Sequence, residues 1–330
     1  MAKRSPTATP LCLLQVLLRY SDESHPLSQQ EMIDYLKEDY DISVERKTVS
    51  RAITTLRDFD YDIRTPDNGR GFYLLQRPFE DSEISMLIDS VLFATDIPPK
   101  QRRDLISRLE RLASPSYHNP IDQVSSLPAY HPINKQLFYT RQVLNDAIRD
   151  KCKVSFHYCS FGVDKKLHRR REEPRVASPY QIVATNGRFY LICAYDGHDD
   201  YLHLRLDLIL DIEALDEKAR PIQEIHGLEN GLDLPQHMVE HLYMFTGPAV
   251  KVSFRCPDSM AGAVLDWMGR QVTIMPEKET GWIRVTTSIN PEAMLFWALQ
   301  YGRHVEVLEP ASLRETLADV TADMAARYAD

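Results

Sequence analysis

No stretch of this 330-residue chain stays apolar for the length a bilayer crossing requires, so a membrane-spanning protein is not expected. The five cysteines (Cys12, Cys152, Cys159, Cys193 and Cys256) are odd in number and contain no C-x-x-C pair. That spacing excludes a disulfide framework and a zinc ribbon, and fits reduced thiols in the cytoplasm. Enzyme signatures are missing as well: there is no P-loop, no G-x-G-x-x-G ahead of a helix, no G-x-S-x-G elbow and no H-E-x-x-H. The eleven histidines are scattered, and His198-Asp199-Asp200 falls in a turn, where solvation explains it better than metal binding. A protein with no catalytic site, no metal and no cofactor is expected. Repeats and low-complexity tracts are also absent. The basic start, Met1-Ala2-Lys3-Arg4-Ser5-Pro6, leads into Leu11–Leu18 and then Arg19, with no small-residue cleavage pattern. It reads as a short polar tail before a helix, not as a secretion signal.

The length calls for two or three domains. The formal net charge of -9 argues against a protein coated in nucleic acid, but leaves room for local basic surfaces. One such surface lies near the start. Leu11, Leu14 and Leu18 share a helical face with Leu17 beside it. Pro26 then breaks the chain, and Ser28-Gln29-Gln30-Glu31 is a capping box for a second helix that buries Met32, Ile33 and Leu36. Ser43 is placed to cap a third helix reaching about Phe59. At ~100° per residue, Val49, Ala52, Ile53 and Leu56 cluster on one side of that helix. Lys47, Ser50, Arg51 and Thr54 then occupy the other side, flanked by Arg46, Thr48 and Arg57. A turn at Pro66-Asp67-Asn68-Gly69 followed by Arg70-Gly71-Phe72-Tyr73-Leu74-Leu75 predicts a hairpin with a basic tip.

Three short helices and a basic hairpin make a winged helix-turn-helix over residues 1–78. Its third helix would enter the major groove of double-stranded operator DNA, with Asn68 and Arg70 on the adjacent backbone or minor groove. A solvated polar face is the bland alternative. The segment resembles the N-terminal domains of bacterial winged-helix transcription regulators. Residues 79–149 read as a helical connector carrying dimer contacts, with Ile84, Leu87, Ile88, Val91 and Leu92 in one period and Leu105, Leu109 and Leu112 in another.

From Lys153 the period changes to two, as Val154-Ser155-Phe156-His157-Tyr158 shows. Short strands joined by turns at Thr185-Asn186-Gly187 and Asp196-Gly197-His198-Asp199 suggest a small antiparallel barrel over 150–216. Between Lys165 and Arg175 there are six Lys or Arg against two Glu, a local reversal of sign in an acidic chain. Guanidinium groups bind phosphate in bidentate fashion and aromatic rings stack on bases. Tyr158, Arg169, Arg170, Arg171, Arg188, Tyr190, His203 and Arg205 are therefore the candidates for an anionic effector. Alternatively, the arginine run is a mobile surface loop and Arg205 pairs with Asp207 or a nearby Glu.

This region resembles the WYL domain of bacterial transcription regulators, named for a Trp-Tyr-Leu triplet. Phe189-Tyr190-Leu191 occupies the triplet, and Leu204-Arg205-Leu206-Asp207-Leu208-Ile209 matches the family's Phe-Arg-Leu-Asp-Arg-Ile strand, with Leu208 where a second arginine is usual. The resemblance implies a Sm/SH3-like barrel that senses an effector, in several members a nucleotide or nucleic acid. After a linker at 217–249, residues 250–330 carry a β-α-β-β-α-β order plus a last helix, a ferredoxin-like sandwich. This part, including Gly302-Arg303-His304-Val305-Glu306-Val307-Leu308-Glu309-Pro310, resembles the extension that follows WYL domains. Trp267, Trp282 and Trp297 are expected in its core, while Arg255, Arg270, Arg284 and Arg303 face either a ligand or solvent. The whole is an α+β multidomain protein. It is expected to be a cytoplasmic homodimer that binds operator DNA under control of a nucleotide, an oligonucleotide or a single-stranded nucleic acid. The other reading is a single-stranded nucleic-acid-binding accessory protein with no promoter target.

Overall fold

The computed structural model describes residues 6–67, 69–94, 97–117 and 134–329. The chain divides into two compact units, Met1–His131 and Pro132–Asp330.

In the first unit, α1 (Thr9–Tyr20), α2 (Gln29–Tyr40) and α3 (Arg46–Asp58) pack around one core, followed by the antiparallel pair β1 (Ile63–Arg64) and β2 (Tyr73–Leu74). Helix α1 touches both α2 and α3, so its buried stripe is centred on Leu13 and Leu17 and includes Cys12, Leu14 and Val16. Leu11, expected on the buried face, is 69% exposed because it lies on the far side of that stripe. The capping box forms at the head of α2, with Ser28 Oγ accepting from Glu31 N and Ser28 N donating to the Glu31 carboxylate. At the other end Asp41 turns left-handed (φ 56°), and the amides of Asp41 and Ile42 donate to Lys37 O and Leu36 O. This closure drives Ile42 into the core and keeps the following residues extended. Helix α3 consequently starts at Arg46 with Glu45 as its N-cap, two residues later than a cap at Ser43 would place it. The hairpin is tied back through Leu27, whose amide and carbonyl pair with those of Phe72 at 2.8 Å each. Gly71 allows this approach: a Cβ there would lie 3.0 Å from Leu27 O.

Helices α4 (Asp81–Phe93) and α5 (Pro99–Glu110) pair through Ile84, Ile88 and Ile106. Arg77 anchors them to α1. Its guanidinium donates to Leu18 O (2.7 Å), Ser21 O (2.6 Å) and Ala113 O (3.1 Å), and Asp22 accepts from Ser116 N and Oγ.

In the second unit, α6 (Leu137–Asp150) lies on a curled antiparallel sheet of β3 (Cys152–Phe161), β4 (Leu167–Arg169), β5 (Arg175–Thr185), β6 (Arg188–Tyr195), β7 (Leu202–Arg205) and β8 (Ile209–Lys218). Strand β3 is central. One edge pairs with β5 and then β4, while the other pairs with β8 through two register shifts that bend it. The connector expected over 79–149 is therefore not one element. Leu137, Leu144 and Ala147 of α6 are buried in the core of the curled sheet, whereas α4 and α5 belong to the first unit. The β5–β6 hairpin turns on Asn186 and Gly187, with φ 50° and 71°, the geometry a two-residue Asn-Gly turn favours.

Strand β6 is covered on both faces, which explains why Leu191, Ile192, Cys193 and Ala194 are all buried. Leu191 and Cys193 face the core under α6. Ile192 and Ala194 face a second core built with Ile225, Leu228 and Met244. The segment expected as a linker thus packs on the sheet, since its apolar residues complete that second face. It includes α7 (Leu234–Glu240), capped by Asp233.

Next come β9 (Val250–Pro257), α8 (Ala261–Met268), β10 (Thr273–Pro276), β11 (Trp282–Ile289), α9 (Pro291–Gln300), β12 (Glu306–Glu309) and α10 (Ala311–Arg327). The strands form an antiparallel sheet in the order β10-β11-β9-β12. Trp297 is fully buried there. Trp267 and Trp282 are only half-buried, and Arg255 lies 5.1 Å over the Trp282 ring. Arg255 pairs with Glu306 and Glu279, and Arg284 with Glu277.

Candidate functional site

The arginine run is not an unanchored loop. Arg169 closes β4, and the Arg170 amide donates to Tyr158 O at 3.1 Å, so the segment lies along the end of β3. This places Arg170 over the Tyr158 ring (5.1 Å) and, further on, Arg175 over the Tyr195 ring (4.8 Å). Between them opens a cleft of about 320 Å³, lined by Tyr158, Arg170, Arg171, Arg175 and Tyr195, with Leu202 and Leu204 as an apolar wall and Glu173 as its one carboxylate. Burial raises the Tyr158 phenol above its ordinary value and pushes that of Tyr195 up to about 12, so both rings stay neutral. Three guanidiniums, two of them stacked on neutral rings, can grip a phosphate and flank a planar base.

The remaining effector candidates sit elsewhere. Arg205 makes a two-pronged contact with Asp207 (3.0 and 2.6 Å), and Arg188 reaches the same carboxylate at 3.4 Å. Asp207 is buried, so these arginines neutralise it. Arg205 still touches the cleft wall, because its amide donates to the Tyr158 hydroxyl at 3.2 Å. Arg169 pairs with Asp211 at 2.7 Å. Tyr190 packs toward the second core, and His203 is buried against His237. Leu208, where the family usually has arginine, is buried in the turn between β7 and β8. Sequence reasoning passed over Arg175 and Tyr195. Alternation would have placed Arg175 at a strand start, but only the curl of the sheet brings the two together.

In the first unit, Arg46, Lys47, Ser50, Arg51 and Thr54 are exposed along α3, with Thr48 half-buried at its side. Ser50 accepts from Gln29 Nε2 at 2.9 Å, which links the polar faces of α2 and α3. Arg57 does not join them. Its Nε and Nη2 donate to Ile63 O at 2.9 and 2.7 Å, so it braces the hairpin. Arg70 is exposed at the hairpin, and Asn68 lies outside the described residues.

Comparison with known families decides the middle of the chain. Residues 140–214 match the WYL domain. Residues 248–325 match the WCX domain, so the two together account for most of the second unit. The WYL match begins inside α6, in keeping with the packing of that helix on the sheet. No curated protein matches the chain. Among solved structures it is similar to the proteasome accessory factor B/C (PafBC) of Arthrobacter aurescens, at 16% identity and a TM-score of 0.29. That alignment covers 96% of this chain and 48% of the other, so this chain spans about half the length of that protein. A CRISPR Cas-related protein is similar at 12% identity and a TM-score of 0.36, with 99% of this chain and 87% of the other covered. No described helix is long and apolar enough to cross a membrane, and among the described residues no His, Cys, Asp or Glu group is placed to hold a metal.

Proposed function

We propose that this is a cytoplasmic, homodimeric, non-enzymatic regulator of transcription. The first three helices and the hairpin form a winged helix-turn-helix that reads double-stranded operator DNA, and the WYL cleft senses an anionic effector. The curled sheet is read as the Sm-like barrel and the β10-β11-β9-β12 sheet with its helices as the ferredoxin-like sandwich. The observation that carries this reading is the cleft itself. Arg170 and Arg175 are held over Tyr158 and Tyr195 beside Arg171, in a chain that is otherwise acidic. Such a site favours a nucleotide, an oligonucleotide or a single-stranded nucleic acid over an uncharged ligand. The exposed row Arg46, Lys47, Ser50, Arg51 and Thr54 on α3 supports duplex binding, since such side chains on a helix can reach base edges and phosphates in a major groove. Effector binding would change operator affinity by as much as the effector's affinities for the two protein states differ.

Footprinting on DNA flanking its gene tests the proposal, with a short single-stranded oligonucleotide as the effector probe. A protected inverted repeat, its occupancy altered by the probe, is expected. Arg51→Ala should lower duplex affinity by about tenfold and flatten the salt dependence by roughly one ion. Tight single-strand binding with no protected duplex would refute it in favour of an accessory protein acting on single strands.

A further inference from the structure

A second cleft in the same unit has the opposite character. It occupies about 340 Å³ where Tyr201, α7, the turn at Gly247 and Ser288 of β11 converge. No lysine or arginine lines it, whereas the carboxylates of Asp200 and Glu240 do. Its floor is aromatic and buried: Tyr201, His237 and His241 are 7%, 6% and 1% exposed. Burial chiefly, with Glu240 and Asp200 adding to it, pushes the Tyr201 phenol up to about 12, so its hydroxyl stays protonated.

The hydrogen bonds on the floor decide what it can accept. His241 Nδ1 lies 3.0 Å from His237 O, and its Nε2 lies 2.9 Å from the Tyr201 hydroxyl and 3.2 Å from Gly247 O. His237 and His203 face each other through their Nε2 atoms at 2.7 Å, so one of the two must donate. His203 Nδ1 has no hydrogen-bond partner among the described residues, and the His237 ring lines the cleft. Glu240 is oriented by hydrogen bonds. Its Oε1 accepts from Gln236 Nε2 (2.9 Å) and Ser288 Oγ (2.8 Å), which leaves Oε2 available.

We propose that this cleft is a second ligand site, built for a small organic ammonium such as an aliphatic diamine. The carboxylates of Glu240 and Asp200 supply the countercharge, the latter also 3.0 Å from Nδ1 of His226 on the cleft wall, the Tyr201 oxygen accepts an N–H group, and the Tyr201 and His237 rings offer π faces to the cation. The volume lies within the range of small-molecule sites. A bound amine would join Asp200 and Tyr201 at the edge of the WYL sheet to Glu240 of α7 and Ser288 of the WCX sheet. It would thereby fix how the two domains of this unit meet. The proposal is independent of the anionic cleft, which lies among other residues.

Isothermal titration of the full chain with putrescine and with spermidine at neutral pH tests it. The expected result is saturable binding at one site per chain, weakened about tenfold or more in Glu240→Gln. Asp200→Asn should weaken binding too, and as Asp200 is an exposed side chain, that variant keeps the fold if Glu240→Gln does not. Adenosine monophosphate should leave amine binding unchanged. Absence of saturable binding for both amines at millimolar concentration, or undiminished binding by folded Asp200→Asn and Glu240→Gln, would overturn the proposal.

Discussion

Acidification from about pH 7 to about pH 5 should destabilise the second unit through two buried imidazoles. Burial, with His241 and His237 adding like charge, lowers His203 from 6.5 to about 3, and burial followed by His241 lowers His237 to about 4. The rings of His203, His237 and His241 stand 4.2 to 5.0 Å apart, with Tyr201 against them and Glu240, Asp200 and His226 in the neighbouring cleft. Both histidines titrate lower in the folded protein than in the unfolded chain, so acid favours the unfolded chain. Stability is complete above about 6.5, falls as the pH drops below that value, and levels off only once the folded rings themselves take up protons near 3 to 4. Across the stated interval a histidine in the unfolded chain gains most of a proton and the buried one gains almost none, a difference of roughly 2 kcal/mol each. The two rings share a hydrogen bond and do not titrate independently, so the joint effect is about 2 to 4 kcal/mol. For a unit of this size that corresponds to a fall in Tm of roughly 5 to 15 °C. Calorimetry of the full chain, compared with a His203→Gln/His237→Gln variant, isolates the contribution because the variant cannot titrate at these positions. The variant's stability should vary less with pH by about that amount. A variant whose Tm tracks pH just as the parent's does would show that these histidines are already solvated and charged in the native state.

Two further substitutions probe contacts that the fold assigns to structure. Arg205→Ala leaves the buried Asp207 facing Arg188 at 3.4 Å, and should cost about 2 to 4 kcal/mol in urea denaturation. Adding Asp207→Asn should recover part of that loss, whereas no recovery would show that the loss does not arise from the buried Asp207 charge. Arg77→Met removes the donor shared by Leu18 O, Ser21 O and Ala113 O, and should cost about 2 to 4 kcal/mol. Hydrogen exchange should then quicken in α4 and α5 while the second unit is unaffected. Unchanged protection would show that water replaces the guanidinium without penalty.

Much of the architecture was legible because the signals are local. The Ser28–Glu31 capping box, the buried Val49, Ala52, Ile53 and Leu56 stripe, and the Asn186-Gly187 turn each depend on residues within a few positions of one another. The α3 start was misplaced because the left-handed closure at Asp41 and the burial of Ile42 reach back into α2. The 217–249 segment looked like a linker because its apolar residues are too sparse to show a period. Their partners, Ile192 and Ala194, lie on a strand whose other face is already occupied.

The candidate site divides along the same line. Residue types and spacing alone marked out a basic region around Lys165–Arg175 and a polar face on α3, because charge and helical period are properties of the chain itself. Which arginines remain available is a property of the fold. Arg188 and Arg205 are drawn onto buried Asp207 and Arg57 onto Ile63 O, since an unsatisfied group inside the protein costs more than an exposed arginine gains in water. The curl of the sheet then brings Arg175 and Tyr195 beside Arg170 and Tyr158, a meeting of β3, β5 and β6 that no window of sequence contains.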